Sequence, residues 1–431
     1  MDCLLSGAFV YSAAGFEKKD ISIKSGVIFD IADRIVPTSD FKIFQLDNCF
    51  IFPGLIDVHV HLREPGFFYK ESIKTGTMAA ARGGFASICA MPNLDPVPDS
   101  AEHLKTEMDI VSRDARVRVH PYGSITVGEK QMRLSDMPAL AASVIAFSDD
   151  GVGVKSADIM CKAMLEAKSL GKIIAAHCED ISLLSGGYVH SGLYAKNRGL
   201  AGISSESEWR QLERDIGLAK STGCSYHMCH VSAKESVGLI RRAKADGLDI
   251  SCETAPHYLT LCDEDIKDEG RFRMNPPLRS SEDKAAIIEG IKDGTIDMIA
   301  TDHAPHSEKE KSGGLAESLN GIVGLETAFP VLYTELVKTG TISLQALIEL
   351  LHYKPMTRFK IGSKLEMRES ADLTVFDLDT EYTIDSADFL SKGRSTPFEG
   401  KRVFGKCLLT LVEGKTAYMD KKLEQYEKNI V

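Results

Sequence analysis

The stretch Leu55-Ile-Asp-Val-His-Val-His61 combines an apolar run of strand length with two histidines at its carboxyl end. Seven more short apolar runs follow it along the chain, and longer segments of helical length separate most of them. These seven runs begin at Ala86, Val117, Ser143, Lys172, Ser225, Asp249 and Asp297. Eight strand–helix units in succession predict an α/β protein with a (β/α)8, TIM-type barrel.

Several segments between the runs have the mixed polar and apolar composition of helices. The candidates span 156–170, 205–221, 233–245 and 281–292, and three of them end close to a glycine, at Gly171, Gly223 or Gly247. Serine at the start of a helix and glycine just past its end are common capping residues. These helices would complete the βα units of the predicted barrel.

The two ends of the chain differ from this alternating pattern. Residues 1–52 and the segment from about 365 onward carry short apolar or alternating stretches separated by Gly, Asp and Pro, as β-hairpins do. Chain termini often lie close together in folded proteins. We therefore predict a small β-sandwich-like domain built from 1–52 and 363–431, and a barrel domain over 53–362.

The composition excludes several classes of protein. Hydrophobic residues make up 43% and charged residues 26% of the 431 residues, as in folded rather than disordered proteins. A formal net charge of -11 disfavours nucleic acid and anionic membranes as partners, and no apolar run is long enough to span a bilayer. The ten cysteines are scattered without a CxxC pair, which is typical of reduced thiols. We expect a cytoplasmic protein without a signal peptide.

Five of the eight apolar runs end in a histidine or an aspartate. These residues are His59 and His61 in the first run, Asp149 and Asp150 in the fourth, His177 in the fifth, His230 in the sixth and Asp302 in the eighth. Barrel enzymes build their sites at the carboxyl ends of the strands. The side chains are therefore expected to meet at one mouth of the barrel.

These residue types point to a metal centre. Residues two apart on a strand face the same side, so His59 and His61 can bind one ion together. His177 and His230 would supply nitrogen ligands for a second ion, and such ligands suit zinc or a similar divalent metal. A carboxylate of the Asp-Asp pair can bridge two ions, and the other carboxylate can cap the next helix.

Asp302 and Arg63 would add catalytic and binding groups to this centre. A carboxylate beside the metal can accept a proton and later deliver it to a leaving nitrogen, and it can also serve as a further ligand. Arg63 follows His61 by two residues and offers a guanidinium fork for a substrate carboxylate. Its alternative role is an ion pair with Glu64.

Seven motifs occur in the order in which one enzyme family has them. They are His59-Val-His-Leu-Arg-Glu-Pro-Gly66, Ala90-Met-Pro-Asn93, Phe147-Ser-Asp-Asp-Gly151, Ala176-His-Cys-Glu-Asp180, Cys229-His-Val-Ser232, Met274-Asn-Pro-Pro-Leu-Arg279 and Ala300-Thr-Asp-His-Ala-Pro-His306. On these motifs the chain resembles the dihydroorotases of the bacterial class, in the amidohydrolase superfamily, from about residue 50 to 362. The resemblance implies reversible, zinc-dependent cyclisation of N-carbamoyl-L-aspartate to L-dihydroorotate in de novo pyrimidine (UMP) biosynthesis.

The resemblance also implies roles for individual residues. It places two zinc ions in each chain, with ligands from five residues: His59 and His61 for the first ion, His177 and His230 for the second, and Asp150 bridging both. Asp302 would contact the first zinc and act as general acid and base, and Asp149 would be structural. The implied substrate-binding residues are Arg63, Asn93, Asn275, His306, Asn320 and Gly321.

Two features distinguish the chain from relatives. Hydantoinases and allantoinases usually carry a carboxylated lysine that bridges the two metal ions at the end of the fourth strand. This chain has Asp150 there, and the next lysine after the strand is Lys155. Relatives usually carry Pro-Phe-Gly or Pro-Gly-Phe near positions 320–321, whereas this loop reads Ser318-Leu-Asn-Gly321. The first feature favours a dihydroorotase, and the second predicts an altered wall of the substrate pocket.

Two other functions remain open at the level of sequence. One is a cyclic amidase acting on a neutral ring, such as an allantoinase or a dihydropyrimidinase, and Arg63 argues against it. The other is a non-catalytic homologue that scaffolds another pyrimidine-pathway enzyme, and the complete ligand set argues against that. The expected partners are a small-molecule substrate, a second copy of the chain in a homodimer, and another enzyme of the pathway.

Overall fold

The computed structural model describes residues 2–12, 14–37 and 41–428. The N-terminal residues form five strands: β1 (Cys3–Ser12), β2 (Gly15–Lys24), β3 (Val27–Ala32), β4 (Lys42–Gln45) and β5 (Cys49–Pro53). β1, β2 and β3 form an antiparallel meander, and β1 also pairs in parallel with β4 and β5. The hairpin-like β structure predicted for this end of the chain is confirmed.

The predicted barrel follows directly. Its strands are β6 (Leu55–Val60), β7 (Phe85–Ala90), β8 (Arg118–Pro121), β9 (Gly123–Ser124), β10 (Phe147–Ser148), β11 (Ile174–Ala176), β14 (Tyr226–Met228), β15 (Ile250–Thr254) and β16 (Met298–Ile299), while β12 (Val189–His190) and β13 (Gly202–Ile203) form a separate pair outside it. Only Tyr122 separates β8 from β9, so the two occupy one strand position and the barrel has eight. A parallel bridge between Val60 and His303 closes the ring.

Several barrel strands are shorter than the apolar runs that predicted them, β10 and β16 most clearly. The run 143–150 forms regular strand only at β10, and the run 297–303 only at β16. After β16 the backbone N–H of Thr301 donates to the carboxylate of Asp57 at 3.2 Å instead of to a neighbouring strand. A side chain therefore interrupts the ladder at Thr301, and pairing resumes at His303, so that Asp302 lies in the break at the mouth of the barrel.

Helices cover the outside of the barrel. They are α1 (Ile73–Arg82), α2 (Ala101–Asp114), α3 (Met137–Leu140), α4 (Ala157–Ser169), α5 (Leu193–Arg198), α6 (Glu206–Thr222), α7 (Lys234–Ala245), α8 (Pro256–Thr260), α9 (Ser281–Lys292), α10 (Glu308–Lys311), α11 (Gly314–Glu317), α12 (Ala328–Leu332), α13 (Leu344–Ile348) and α14 (Lys354–Phe359). The four predicted helices are confirmed as α4, α6, α7 and α9. Among the helices of the described residues, none has the length and hydrophobicity that a transmembrane segment needs.

Strands from the C-terminal end join those from the N-terminal end. They are β17 (Leu373–Thr383), β18 (Arg402–Val412), β19 (Lys415–Met419) and β20 (Glu427–Lys428). β17 lies antiparallel to β5, with Leu373 opposite Pro53, and the result is one nine-stranded sheet. The predicted fold class, a barrel with a β unit from both termini, is confirmed. The domain bounds 1–52 with 363–431 and 53–362 stay a prediction.

Three phenylalanines join the sheet to the barrel side of the molecule. Phe52 in β5 and Phe376 in β17 stack with ring centroids 5.4 Å apart, and both rings contact Phe329 in α12. All three side chains are fully buried. The hydrophobic core is therefore continuous between the sheet and the elements around the barrel.

Candidate active site

The strand ends bring the predicted residues together at one mouth of the barrel. A cavity of about 200 Å³ opens there, and its lining comprises His61, Arg63, Asn93, Asp150, Gly151, His177, His230, Asn275, Asp302, Ala304, His306, Asn320 and Gly321. His59 is fully buried beside this cavity. A larger cavity of about 890 Å³ lies at the opposite end of the barrel, beside the starts of β11, β14 and β15, and no histidine lines it. The chemistry is therefore concentrated in the smaller cavity.

His59, His61 and Asp302 form a first cluster of donor atoms. Asp302 Oδ1 lies 3.1 Å from His61 Nε2 and 3.6 Å from His59 Nε2. Two ligands that bind one tetrahedral zinc at about 2.0–2.1 Å are themselves about 3.3 Å apart. The spacing of these three donors therefore fits a single divalent ion.

Asp150 lies between this cluster and the other two histidines. Its Oδ2 is 3.5 Å from His61 Nε2, while its Oδ1 is 3.5 Å from His59 Nε2, 3.8 Å from His230 Nε2 and 3.9 Å from His177 Nδ1. His177 Nδ1 and His230 Nε2 are 2.8 Å apart. One carboxylate thus faces all four imidazoles, an arrangement that lets Asp150 reach ions on both sides.

Two of these donor atoms lack any hydrogen bond within the described residues. His59 Nε2 and Asp150 Oδ1 are both buried and unsatisfied. Leaving a buried polar atom without a partner costs about 1–3 kcal/mol, and a cation between the two atoms would satisfy both. Because the donors are imidazole nitrogens and carboxylate oxygens, the set fits a divalent transition metal.

The structure separates the two acids of the Asp149-Asp150 pair. Asp149 Oδ1 accepts hydrogen bonds from the backbone N–H groups of Ile125 (2.8 Å) and Thr126 (3.0 Å), and Oδ2 accepts one from the Thr126 hydroxyl. Burial raises the pKa of Asp149 to about 6. Burial also opposes ionisation of Asp150, but the surrounding histidines, His59 first, hold its pKa well below the usual value. Asp149 fastens the loop after β9, whereas Asp150 faces the cavity.

Glu253 hydrogen-bonds His59 on the side of the imidazole that faces away from Asp150 and Asp302. This role was not predicted from the sequence. Its Oε1 accepts a hydrogen bond from His59 Nδ1 at 2.6 Å, and its Oε2 accepts one from His227 Nε2 at 3.1 Å. Burial opposes ionisation here too, yet His59 and His227 lower the pKa of Glu253 to about 2. The available signal was an acid inside the apolar run of β15, since a buried acid requires partners.

Arg63 turns into the cavity from the loop after β6. Its backbone is left-handed (φ 61°), and its Nε donates to the carbonyl oxygen of Pro305 at 3.3 Å. Glu64 accepts a hydrogen bond from the N–H of Ile73 at 2.9 Å instead of pairing with Arg63. Burial lowers the pKa of Arg63, and the carboxylate of Asp302 counteracts this. The guanidinium therefore remains a cation available to an anionic ligand.

The opposite wall of the cavity is formed by His306 and the loop at 320–321. His306 Nε2 donates to the carbonyl oxygen of Asn320 at 2.8 Å, and burial lowers the pKa of His306 to about 3. Gly321 has φ 136°, and a Cβ there would lie 2.5 Å from the carbonyl oxygen of Ala304. The close approach requires glycine, so this wall is a backbone surface.

Asn93 and Asn275 line the cavity between these two walls. Asn93 Oδ1 accepts a hydrogen bond from His61 Nδ1 at 2.8 Å. Asn275 Nδ2 donates to Glu179 Oε1 at 2.9 Å, and Glu179 Oε2 lies 3.6 Å from His177 Nε2. Glu179 was also missed from sequence, although it stands two residues after His177 in a quoted motif. All twelve predicted site residues are thus gathered at one site, and their individual roles stay predictions.

Comparison with known proteins gives consistent results. Residues 49–236 match the family model described as Dihydro-orotase-like. A curated dihydroorotase from Fusobacterium nucleatum subsp. nucleatum is 49% identical over 421 residues, which are 97% of this chain and 99% of that protein. Another from Anoxybacillus flavithermus is 49% identical over 402 residues, 93% of this chain and 94% of that one.

Solved structures show the same architecture. The L-hydantoinase (dihydropyrimidinase) from Arthrobacter aurescens superposes with a TM-score of 0.86 at 25% identity, over 97% of this chain and 96% of that one. The dihydropyrimidinase from Brevibacillus agri NCHU1002 gives a TM-score of 0.84 at 22% identity, over 98% and 96%. The latter likeness concerns the fold alone.

The barrel, the terminal sheet and the buried His/Asp cluster together define a metal-dependent enzyme of the amidohydrolase superfamily. Within that class, the chain belongs to the dihydroorotase family, because it is 49% identical to curated members over nearly its whole length. The resemblance inferred from the seven motifs is confirmed.

Proposed function

We propose that this protein is a dihydroorotase that reversibly cyclises N-carbamoyl-L-aspartate to L-dihydroorotate with zinc, a step of de novo pyrimidine (UMP) biosynthesis. One observation carries the proposal: five imidazoles, two carboxylates and a partly buried guanidinium meet at one cavity. The identity to curated dihydroorotases supports the choice of substrate.

The metal ions would be held by this chain's own donors. His59, His61 and Asp302 would bind one zinc, His177 and His230 the other, and Asp150 would bridge them. When bound, such ions supply a nucleophile from water near neutral pH and polarise the carbonyl under attack. An aspartate bridge in place of a carboxylated lysine supports a dihydroorotase over a hydantoinase.

Asp302 would transfer the proton of the reaction. In the ring-closing direction, the ureido nitrogen would attack the side-chain carboxylate carbon, a C–N bond would form, and a C–O bond of that carboxylate would break, so that its oxygen leaves as hydroxide. Asp302 would take the proton from the attacking nitrogen and, in the ring-opening direction, return it to the leaving nitrogen. Its place 3.1 Å from His61 Nε2 and facing the cavity supports this role.

Arg63 would bind the substrate carboxylate that takes no part in the chemistry, through two parallel N–H···O contacts. Because the chain has a formal net charge of -11, a local cation is needed to admit an anion. The remaining contacts to the ring would come from Asn93, Asn275, His306, Asn320 and Gly321.

Further features belong to the same proposal. Segments 1–52 and 363–431 would form one domain and 53–362 the other, which the sheet shared by both termini supports. All ten cysteines are free thiols, as expected in the cytoplasm. A homodimer or a complex with another pyrimidine-pathway enzyme would be the assembled form.

The direct test follows the loss of L-dihydroorotate absorbance with purified protein, before and after chelation and after addition of zinc. We expect turnover that chelation abolishes and zinc restores, with no turnover of allantoin or dihydrouracil in parallel reactions. Turnover of a neutral ring alone would place the chain with the hydantoinases and remove the proposed role of Arg63. Bound zinc without turnover of any ring would contradict the proposal.

A further inference from the structure

The loop that ends at Gly321 is fastened by two cationic side chains. Lys311 is only 9% exposed, and its ammonium donates to the carbonyl oxygens of Arg273 (3.0 Å) and Leu319 (2.6 Å). Arg273 Nε donates to Asn320 Oδ1 at 2.6 Å, and the N–H of Gly321 donates to the carbonyl oxygen of Arg273 at 3.0 Å. These four hydrogen bonds connect Lys311, Arg273 and residues 319–321 to one another, and we term them the Lys311–Arg273 clasp.

The clasp joins two segments that line the cavity. Arg273 precedes Asn275 by two residues, so its carbonyl oxygen belongs to the segment that carries Asn275. On the other segment, the carbonyl oxygen of Asn320 accepts the hydrogen bond of His306, and Gly321 lines the cavity itself. Neither Lys311 nor Arg273 lines the cavity. The clasp therefore lies one layer behind the wall.

The first half of this loop is held separately, because Leu315 is buried and its N–H donates to Asp268 Oδ1 at 3.0 Å, whereas the half next to Gly321 has fewer restraints. Residues 312–321 contain no proline and no aromatic residue, and three of these ten residues are glycines. The side chain of Leu319 is 44% exposed, so it contributes little packing. Hydrogen bonds from a charged donor to a carbonyl are stronger than those between neutral groups. A buried ammonium is thus a strong restraint on the residues before Gly321, in addition to the hydrogen bond from the N–H of Leu319 to the carbonyl oxygen of Glu310 at 3.1 Å.

The buried position of Lys311 is unfavourable for a charged lysine unless hydrogen bonds compensate for the loss of hydration. Burial first and the nearby charge of Arg273 second lower the pKa of Lys311 to about 7. Its neighbour Lys309 on the same helix is exposed, as lysines usually are. The difference between the two residues of α10 supports a specific role for Lys311.

We propose that Lys311 and Arg273 are positioning residues that fix the backbone at 320–321 as the wall on which the substrate ring rests. The inference rests on the proposed function. Because the wall contacts substrate and transition state alike and lies away from the reacting atoms, loss of the clasp weakens both equally. Such a loss raises KM and leaves kcat unchanged.

The test compares Lys311→Met with the matched control Lys309→Met, in the full-length zinc-loaded protein. Methionine keeps the length and volume of the lysine side chain but donates no hydrogen bond. We expect KM for dihydroorotate, measured below pH 7 where Lys311 is charged, to rise about tenfold in Lys311→Met, as for the loss of a charged hydrogen bond, with kcat unchanged. Lys309→Met should match the wild type, and Lys311→Arg, which keeps the donor, should restore KM.

Arg273→Met serves as the second variant should Lys311→Met fail to fold. It keeps the backbone carbonyl that Lys311 binds and removes the contact to Asn320, together with the longer contacts of Nη1 to the carbonyl oxygens of Tyr188 (3.3 Å) and Leu315 (3.4 Å). We expect a rise in KM of about threefold. A variant that merely lowered the folded fraction would reduce the apparent kcat and leave KM unchanged. The direction of the KM change therefore separates positioning from general destabilisation.

Amide hydrogen exchange of the same proteins reports on the loop without any turnover. We expect the N–H groups of Leu319 and Gly321 to exchange faster in Lys311→Met than in the wild type and in Lys309→Met. An active wild type together with unchanged exchange, or with an unchanged KM, would overturn this inference alone. A wild type that does not turn over dihydroorotate would overturn the proposed function, and the role of the wall with it, even where exchange confirms the clasp.

Discussion

Among single side chains, Asp302 is the one whose chemistry can be removed with the least change of shape. Its backbone has φ 49°, a left-handed conformation that asparagine tolerates and alanine disfavours. Asp302→Asn therefore keeps the fold but can neither accept nor return a proton. We expect kcat for dihydroorotate to fall by about 10²–10⁴, the usual contribution of a general acid and base. Steady-state kinetics with a determination of bound zinc would measure the effect.

A suitable control for Asp302→Asn is Asp99→Asn. Both aspartates are 9% exposed, but Asp99 lies outside the cavity lining and accepts a hydrogen bond from the N–H of Gly128 at 2.9 Å. The control should lose stability rather than kcat. If Asp302→Asn bound zinc and kept more than about a third of the wild-type kcat, proton transfer would have to be assigned to another group.

At the scale of secondary structure, β15 positions a carboxylate behind a metal ligand. Glu253 on this strand accepts the hydrogen bond of His59 Nδ1 and so fixes which ring nitrogen faces the cavity. Loss of a carboxylate that hydrogen-bonds a metal-binding histidine typically lowers metal affinity by about 10- to 100-fold. We expect Glu253→Gln, which removes the charge and leaves one acceptor oxygen in place of two, to weaken zinc binding by about tenfold in competition with a chelator.

Glu107→Gln in α2 is the matched control for this prediction. Glu107 and Glu253 are both 1% exposed, but neither carboxylate oxygen of Glu107 has a hydrogen-bond partner among the described residues, and burial raises its pKa to about 8. Neutralising Glu107 should leave zinc affinity unchanged. Equal zinc affinities in wild type and Glu253→Gln would show that His59 is held without its carboxylate partner.

The strand ends account for what could and could not be predicted from the sequence. Parallel strands bring their carboxyl ends to one rim, so His177 and Asp302 could be placed from the order of the runs alone. Glu253 lies within a run, where the pattern does not show which face is turned toward His59. The contacts of Lys311 depend on the path of two loops, and no periodicity encodes such a path.

At the scale of the whole molecule, the aromatic cluster Phe52–Phe329–Phe376 couples the sheet to the rest of the chain. Phe376 lies in a strand of the C-terminal segment, and its ring centroid is only 4.0 Å from that of Phe329 in α12. A ring at this point excludes any side chain at Gly84, whose Cβ would lie 2.6 Å from Phe376 Cζ. The strands from both ends of the chain therefore share one hydrophobic core with the elements around the barrel.

This packing predicts that damage in the sheet destabilises the barrel. Phe376→Ala should lower the free energy of unfolding by about 3–5 kcal/mol, because it leaves a cavity in a fully packed core. Phe29→Ala in β3 is the control, since that ring is 60% exposed. The single tryptophan, Trp209 in α6, lies on the barrel and reports its unfolding by fluorescence. The coupling would be established if the midpoint of unfolding by denaturant, followed by Trp209 fluorescence, falls in Phe376→Ala but not in Phe29→Ala. An unchanged midpoint in Phe376→Ala would mean that the sheet and the barrel unfold independently.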